Sequence, residues 1–269
     1  MIFLRSVRYS PLSTRSTIFP FSVPVIQAMN TVDFTSDITI LVGDNGSGKS
    51  TFVEALAVSV NSITVGEESI QTDKTLLHAR TLAENLKLTW NEKTRKGFFM
   101  RAEDFFQYTK RMNELKQEME EDIKRVDEEF KNRSKTAQIY ARSGYASSAK
   151  ALEDRYGKDS DAHSHGEGFL EFFKTRFVPG GLYILDEPEA PLSPISQLSF
   201  LMLLQEMIKQ DSQFIIATHS PIIMAYPEAS IYSFDGGSIH SIQYKDIESV
   251  HFMKNFLANP SIYLQYLTL

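Results

Sequence analysis

At 269 residues the chain is long enough for one large or two small domains, either of which can bury a sizeable core. Hydrophobic residues at 42%, aromatic residues at 12% and charged residues at 23% exclude wholesale disorder and fibrous repeats, and the lack of cysteine excludes disulfides and thiolate metal sites and fits a reducing, cytoplasmic setting. The balance of 28 basic against 34 acidic residues gives a net charge of -6, which argues against nucleic-acid binding by bulk charge but leaves a local patch open.

The first 32 residues hold Arg5, Arg8 and Arg15, several serines and no acid before Asp33, a composition that superficially copies an organelle transit peptide. Against that, Met1 to Leu4 is apolar and Ile18 to Ile26 reads as an extended core strand, part of a sheet that the next motif needs. The longest uncharged stretches, Ser16 to Val32 and Asn255 to Leu269, fall short of the ~20 apolar residues of a membrane span and contain Ser and Asn.

Ile38, Ile40, Leu41 and Val42 form a short apolar run, followed by a glycine-rich turn and then by Phe52, Val53, Ala55, Leu56 and Val58 at helical spacing. The turn, Gly43-Asp44-Asn45-Gly46-Ser47-Gly48-Lys49-Ser50-Thr51, fits G-x-x-x-x-G-K-[ST] between a strand and a helix, the context that a phosphate-binding loop requires. Glycine makes up ~7% of an average protein, so a chance match in a chain of this length is on the order of one in a hundred. Such glycines let the backbone wrap until its amides and the helix N-terminus face phosphate. Lys49 then supplies a cation for the β- and γ-phosphates of ATP, and the Ser50 hydroxyl is an expected Mg²⁺ ligand.

Between Arg101 and Lys135, 19 of 35 residues are charged, nine basic and ten acidic, so this segment cannot be interior. Leu115, Met119, Ile123, Val126 and Phe130 recur at steps of four, four, three and four, drawing one apolar stripe along an otherwise solvated helix. Two readings stay open: a surface helix packed on its own domain, or a projecting arm whose stripe meets a partner. Ser134 to Asp161 reads as a looser return.

Leu182-Tyr183-Ile184-Leu185-Asp186-Glu187-Pro188 is a hydrophobic strand that delivers two adjacent carboxylates at its C-terminal end, the edge at which open α/β sheets bind ligands. Asp186 is expected in the Mg²⁺ shell and Glu187 as the residue that orients and polarises the attacking water. A helical pattern through Leu198, Leu201, Leu204 and Ile208 leads to a second buried strand, Phe214 to Ala217, which ends at Thr218-His219-Ser220. A lone histidine is usually structural, but the same edge is expected for Gly43, Asp186 and His219, which points His219 at a γ-phosphate or the attacking water. His78, His240 and His251 have no partner pattern. Ile231 to Phe234 and Ile239 to Ile242 flank Asp235-Gly236-Gly237-Ser238 and predict an antiparallel hairpin at the sheet edge.

Together these residues resemble an ABC-type ATPase head: the phosphate loop, the acid pair of Walker B type, Glu189-Ala190-Pro191-Leu192-Ser193-Pro194 at the D-loop position, His219 as the switch histidine, and Ser164-His165-Gly166-Glu167-Gly168 at the signature position, its Gly166 twenty residues before Asp186. Within that superfamily the chain is similar to small stand-alone bacterial ATPases related to chromosome-maintenance and double-strand-break repair heads, with Phe19-Pro20-Phe21-Ser22-Val23-Pro24 and Gly97 to Glu103 adding to the likeness. It departs from the family pattern in several places. His163 and His165 replace the leucine and first glycine of the signature and, beside Glu167, leave a metal site as an alternative. The D-loop has Ser193 in place of its aspartate. Glu103 or Gln107 stands where the Q-loop glutamine is sought, and Phe19 and Phe21 are the available adenine-stacking aromatics.

The expected fold is therefore α/β, a P-loop NTPase head spanning 1–269 with a mixed sheet flanked by helices and a charged helical insertion over 104–162. The resemblance implies an ATPase using ATP and Mg²⁺ that dimerises head to head, with Ser164 and Gly166 of one subunit closing over the nucleotide held by Gly43, Asn45, Gly46, Ser47, Gly48, Lys49, Ser50 and Thr51 of the other. A separate effector protein in DNA maintenance or anti-phage defence is the expected partner, and the nucleotide-binding subunit of an ABC transporter is the alternative.

Overall fold

A computed structural model describes residues 1–10, 18–65, 69–141, 143 and 165–265. In chain order the strands are Leu4–Tyr9 (β1), Thr31–Asp33 (β2), Ile38–Val42 (β3), Leu86–Trp90 (β4), Phe99–Arg101 (β5), Leu182–Asp186 (β6), Gln213–Ala217 (β7), Ser230–Ser233 (β8) and His240–Ser241 (β9). Helices include Pro24–Gln27 (α1), Lys49–Ser59 (α2), Leu77–Ala83 (α3), Ala102–Phe130 (α4), His165–Arg176 (α5), Pro194–Ile208 (α6), Pro221–Met224 (α7), Glu248–Ala258 (α8) and Pro260–Leu264 (α9).

The apolar runs without alternation, β3, β6 and β7, are buried at every position, as parallel strands covered on both faces must be. They lie in a six-stranded sheet of order β5-β6-β7-β3-β8-β9, parallel except for β9. Register is continuous across its centre: Leu185 faces Ile216, and Ile216 faces Ile40. Side chains alternate between two cores. Leu41, Ile184, Ile215 and Ala217 point to one that includes α2, α3 and a separate antiparallel sheet of order β2-β1-β4. Ile40, Leu185, Tyr183, Phe214 and Ile216 point to the other, filled by Phe169, Phe172 and Phe173 of α5 and Phe200, Leu204 and Met207 of α6. Gln213 at the start of β7 ties the two sheets: its Oε1 accepts the backbone N–H groups of Phe3 and Leu4 at 2.9 and 2.8 Å, and its Nε2 donates to the Leu4 carbonyl at 2.9 Å.

The predicted edge hairpin is present, with Tyr232 opposite Ser241 and a turn in which Gly236 and Gly237 take φ of 69° and 75°. The stretch from Ile18 to Ile26 corrects an expectation. It is not a strand: Ile18 and Phe19 are exposed, and the chain turns into α1, whose first residue is Pro24 and whose Val25 and Ile26 are buried. Proline cannot donate to a ladder but is well placed at the first position of a helix, so Pro20 and Pro24 override the apolar pattern. On α6 the buried face is Gln197, Phe200, Leu204 and Met207, whereas Leu198 faces outward.

Helix α4 starts one residue after β5 and is 29 residues long, roughly 43 Å at 1.5 Å per residue. Its root is anchored by Phe105, buried against Phe169 with ring centroids 4.4 Å apart. Farther along, Leu115, Met119, Ile123, Val126 and Phe130 are half-buried and belong to neither core. Much of the expected insertion beyond residue 141 lies outside the described residues. Among the described residues no helix is long and apolar enough to cross a membrane.

Candidate functional site

The parallel strands β3, β6 and β7 end side by side, so the segments that follow them share one sheet edge. Gly43 to Gly48 follow β3, and α2 begins at Lys49. Gly48 has φ +101°, and a Cβ there would lie 2.7 Å from Val25 and 2.8 Å from Val23, so the loop needs glycine both for its conformation and for its contact with α1. At Gly43 a Cβ would meet Ser47 Oγ at 2.9 Å and Asp235 Oδ1 at 3.0 Å. Asp235 Oδ1 in turn accepts the Asp44 N–H at 2.8 Å, so the hairpin turn after β8 braces the loop across 191 residues of sequence.

Lys49 is buried at the start of α2, with its ammonium inside the loop donating to the carbonyls of Gly43 at 2.7 Å and Asp44 at 3.0 Å. Burial lowers its pKa, against the opposing charges of Asp186, Glu187, Asp235 and Asp44. Ser50, one residue on, is exposed at the loop, and its hydroxyl works to lower the Asp186 carboxyl. Asn45, Gly46 and Ser47 form the outer rim of the loop, and Thr51 is half-buried in the first turn of α2.

Asp186 closes β6 and is buried, and its Oδ1 has no hydrogen-bond partner among the described residues. Burial pushes its carboxyl up to about 7, with the Ser50 hydroxyl and Lys49 pulling down and the charges of Glu187 and Glu54 pushing up. Glu187 follows with φ 52°, a left-handed conformation uncommon outside glycine, and is pinned by its N–H to the Ala217 carbonyl at 2.9 Å. That turn aims Glu187 at His219: Oε1 lies 3.6 Å from Nε2, which is itself buried without a hydrogen bond among the described residues. Glu187, Asp186, Lys49, Ser50 and His219 are thus brought to one edge. In chemical terms this edge offers a cationic donor within a glycine loop, hard oxygen ligands at Ser50 and Asp186, and a carboxylate facing an imidazole.

The structure places other expected residues elsewhere. Gly166 is the second residue of α5, and Ser164 and His163 lie outside the described residues. Glu103 pairs with Arg101 at 3.0 Å, and Gln107 is exposed on α4. Phe19 packs on the His78 ring at 5.0 Å, and Phe21 packs against the core around α2.

A charged cluster that sequence reasoning missed lies beside the loop helix. Arg101, paired with Asp186 in the β5–β6 register, bonds both oxygens of Asp104, Asp73 Oδ2 at 2.9 Å and Thr75 Oγ1 at 3.0 Å, and lies 3.7 Å from Glu54. Glu54 on α2 also pairs with His78 at 2.7 Å. Burial works against the Arg101 charge, but Asp104, Glu103 and Asp73 outweigh it and raise its pKa. The one legible sign of this cluster was Asp104 three residues after Arg101, the spacing of a capping box. A groove of about 710 Å³ lies near the opposite end of β3, between Ile38, Leu198, Met202 and Tyr226.

Several solved structures resemble the chain. The Smc head domain with an extended coiled coil bound to the C-terminal domain of ScpA, from Pyrococcus furiosus, is 13% identical with a TM-score of 0.46, covering 95% of this chain and 100% of that one. A nucleotide-free ATP-binding cassette from an ABC transporter is 16% identical with a TM-score of 0.48 over 99% of each chain. The SMC head domain from Thermotoga maritima is 15% identical with a TM-score of 0.41, covering 90% of this chain and 100% of that one. No curated protein matches the chain. Residues 66–225, more than half of the chain and including β6, the Asp186-Glu187 pair and His219, match the family described as "AAA domain, putative AbiEii toxin, Type IV TA system". With its phosphate loop, its sheet of mostly parallel strands and this match, the chain belongs to that family and is a P-loop domain of the ATPase type.

Proposed function

We propose that the chain binds ATP with Mg²⁺ at the β3–α2 loop and hydrolyses it, acting as a timed switch. The observation that carries this reading is the shared sheet edge: Lys49 within the glycine loop, Ser50 beside Asp186, and Glu187 3.6 Å from His219. The residues fit a magnesium nucleotide. Asp186 Oδ1 is a buried carboxylate oxygen without a hydrogen bond among the described residues, a costly state in isolation, and Ser50 beside it adds a hydroxyl. Ser50 and Asp186 would hold the ion, and when bound Mg²⁺ neutralises phosphate charge.

The chain's own groups then divide the work. Lys49 and the amides of Gly43 to Thr51 hold the phosphates, and Glu187 orients a water and takes its proton as the water bonds to the γ-phosphorus and ADP leaves. His219 steadies the γ-phosphate or that water by hydrogen bonding. In this reading two copies meet head to head on ATP, with Ser164 and Gly166 of one copy completing the site of the other, and hydrolysis reopens the pair. The switched partner is a separate effector that meets the 104–162 insertion. The family description refers to a toxin of a toxin–antitoxin system, which supports a defence setting.

The test is Glu187→Gln in the full chain. ATP affinity is expected to stay within about threefold, hydrolysis to fall by a factor of about 10² or more, and light scattering in Mg-ATP to report a dimer. Wild-type turnover in that variant would remove Glu187 from its role, and a trapped state that stays monomeric at all protein concentrations would remove the head-to-head pair. Co-purification with an integral membrane protein would favour the transporter-subunit alternative.

A further inference from the structure

The site holds a carboxylate for which the proposed hydrolysis has no use. Glu189 lies in the turn between β6 and α6, three residues past Asp186, and is largely buried. Its Oε1 accepts the backbone N–H of His219 at 2.6 Å. Its Oε2 is buried without a hydrogen bond among the described residues.

The turn does not need this side chain for its own closure. Backbone bonds from Ala190 N–H to the Glu187 carbonyl at 3.2 Å and from Leu192 N–H to the Glu189 carbonyl at 2.8 Å close it, and Ser193 caps α6 by accepting the Ser196 N–H. The Glu189 carboxylate instead reaches across to the loop after β7. A second bond runs the same way: Gln197 of α6 donates to the Leu192 carbonyl at 3.1 Å and accepts the Ser220 hydroxyl. The acidic turn and the loop bearing His219 are therefore clamped on both sides of the histidine. The imidazole between these clamps is the group that faces Glu187.

We propose that Glu189 is the positioning residue for His219: by holding the histidine's backbone N–H it sets the separation between the imidazole and Glu187, and with it the competence of the site for hydrolysis. This inference rests on the ATPase reading above. Desolvating a carboxylate is costly, and here the return is a fixed backbone at the one residue whose side chain must meet both Glu187 and the γ-phosphate.

The experiment uses the full chain carrying Glu189→Ala, Glu189→Gln, His219→Ala and the Glu189→Ala/His219→Ala pair. Glu189→Ala is expected to lower kcat about tenfold or more while KM for ATP stays within about twofold, because the loop of Lys49 and Ser50 is untouched. Glu189→Gln keeps a carbonyl oxygen for the His219 N–H and is expected to recover to within about threefold of wild-type kcat. The double variant should fall no further than His219→Ala alone, since Glu189 acts through that histidine. In nucleotide-free protein the side-chain ¹⁵N resonances of His219 should move in Glu189→Ala and return in Glu189→Gln.

If Glu189→Ala unfolds the chain, Glu189→Met fills the volume without an acceptor and takes its place. Wild-type kcat in the Ala or Met variant, independent losses in the double variant, or unmoved His219 resonances each overturn the inference. A wild-type protein that binds ATP but never hydrolyses it would instead overturn the ATPase reading, and the His219 resonances would still report on the tie.

Discussion

At the carboxyl edge of the central sheet, Lys49, Glu54 and Asp186 are buried charges with named neighbours, whereas α4 carries most of its charge in solvent. The edge places each ion where desolvation strengthens its interactions: Lys49 inside the loop, Asp186 beside Ser50, Glu54 between His78 and Arg101. On α4 the pairs Arg111–Glu114 at 3.4 Å and Arg125–Asp122 at 3.3 Å are exposed and of little energetic weight. The same residue types therefore serve different ends. At the edge they perturb pKa values and form a site, and along α4 they keep a long half-buried stripe soluble.

The two regions meet at Arg101 and Phe105. Arg101 ends β5 beside Asp186 and ties down the first turn of α4 through Asp104, and Phe105 seats that turn among the rings of α5. Beyond this root the helix leaves the core, so the boundary between the two uses of charge falls within the first two turns of α4.

The sharpest way to break the comparison is at the loop. Lys49→Ala removes the cation from a site lined by carboxylates and should reduce ATP affinity by a factor of at least about 10², measured by titration calorimetry. Wild-type affinity would show that the buried lysine is structural only.

Next in size is the root of α4. Phe105→Ala empties a buried aromatic site and should cost about 3–5 kcal/mol, read as a clear drop in the denaturant midpoint. A change below ~1 kcal/mol would mean that α4 is free from its first turn.

Asp186→Asn tests the buried charge itself. Because the folded protein raises this carboxyl to about 7 from 3.8, its neutral form is favoured: the associated stability is complete below about pH 4 and is lost as pH rises towards and through 7. Nucleotide-free Asp186→Asn should therefore melt above wild type at pH 8, by about 1–2 kcal/mol or roughly 3–6 °C, with the difference vanishing near pH 4. Excess Mg²⁺ should narrow the gap at pH 8 by stabilising the wild-type carboxylate. A wild-type chain more stable at pH 8 than the variant, without Mg²⁺, would contradict the burial argument.

The smallest effect is expected on the stripe. Met119 and Ile123 are half-buried, so replacing both with Lys should cost less than about 1 kcal/mol and leave ATP binding unchanged, while on the arm reading it weakens capture of the proposed effector. Two fully buried apolar side chains would cost ~2–5 kcal/mol each. A large drop in melting temperature with capture intact would make the stripe part of the core and end the arm reading.

What could be read from the chain alone was local. The loop from Gly43 to Thr51 is a contiguous motif, the strands ending at Asp186 and Ala217 are unbroken apolar runs, and the β8–β9 hairpin is marked by Asp235-Gly236-Gly237. Periodicity and turn chemistry act over a few residues, and so does the information that specifies them. The largest local misreading, Ile18 to Ile26, came from weighing apolar content above Pro20 and Pro24.

Tertiary structure alone decided the partners. Glu189 meets the His219 N–H 30 residues away, Asp235 meets the Asp44 N–H across 191, and Gln213 meets Phe3 and Leu4 across more than 200. None of these pairs has a spacing signature, because a buried polar side chain answers to whichever unpaired group the folded backbone brings within about 3 Å. The residue types of the site were therefore written in the sequence, but which of them hold one another, and at what distance, followed only from the order in which the parallel strands lie side by side.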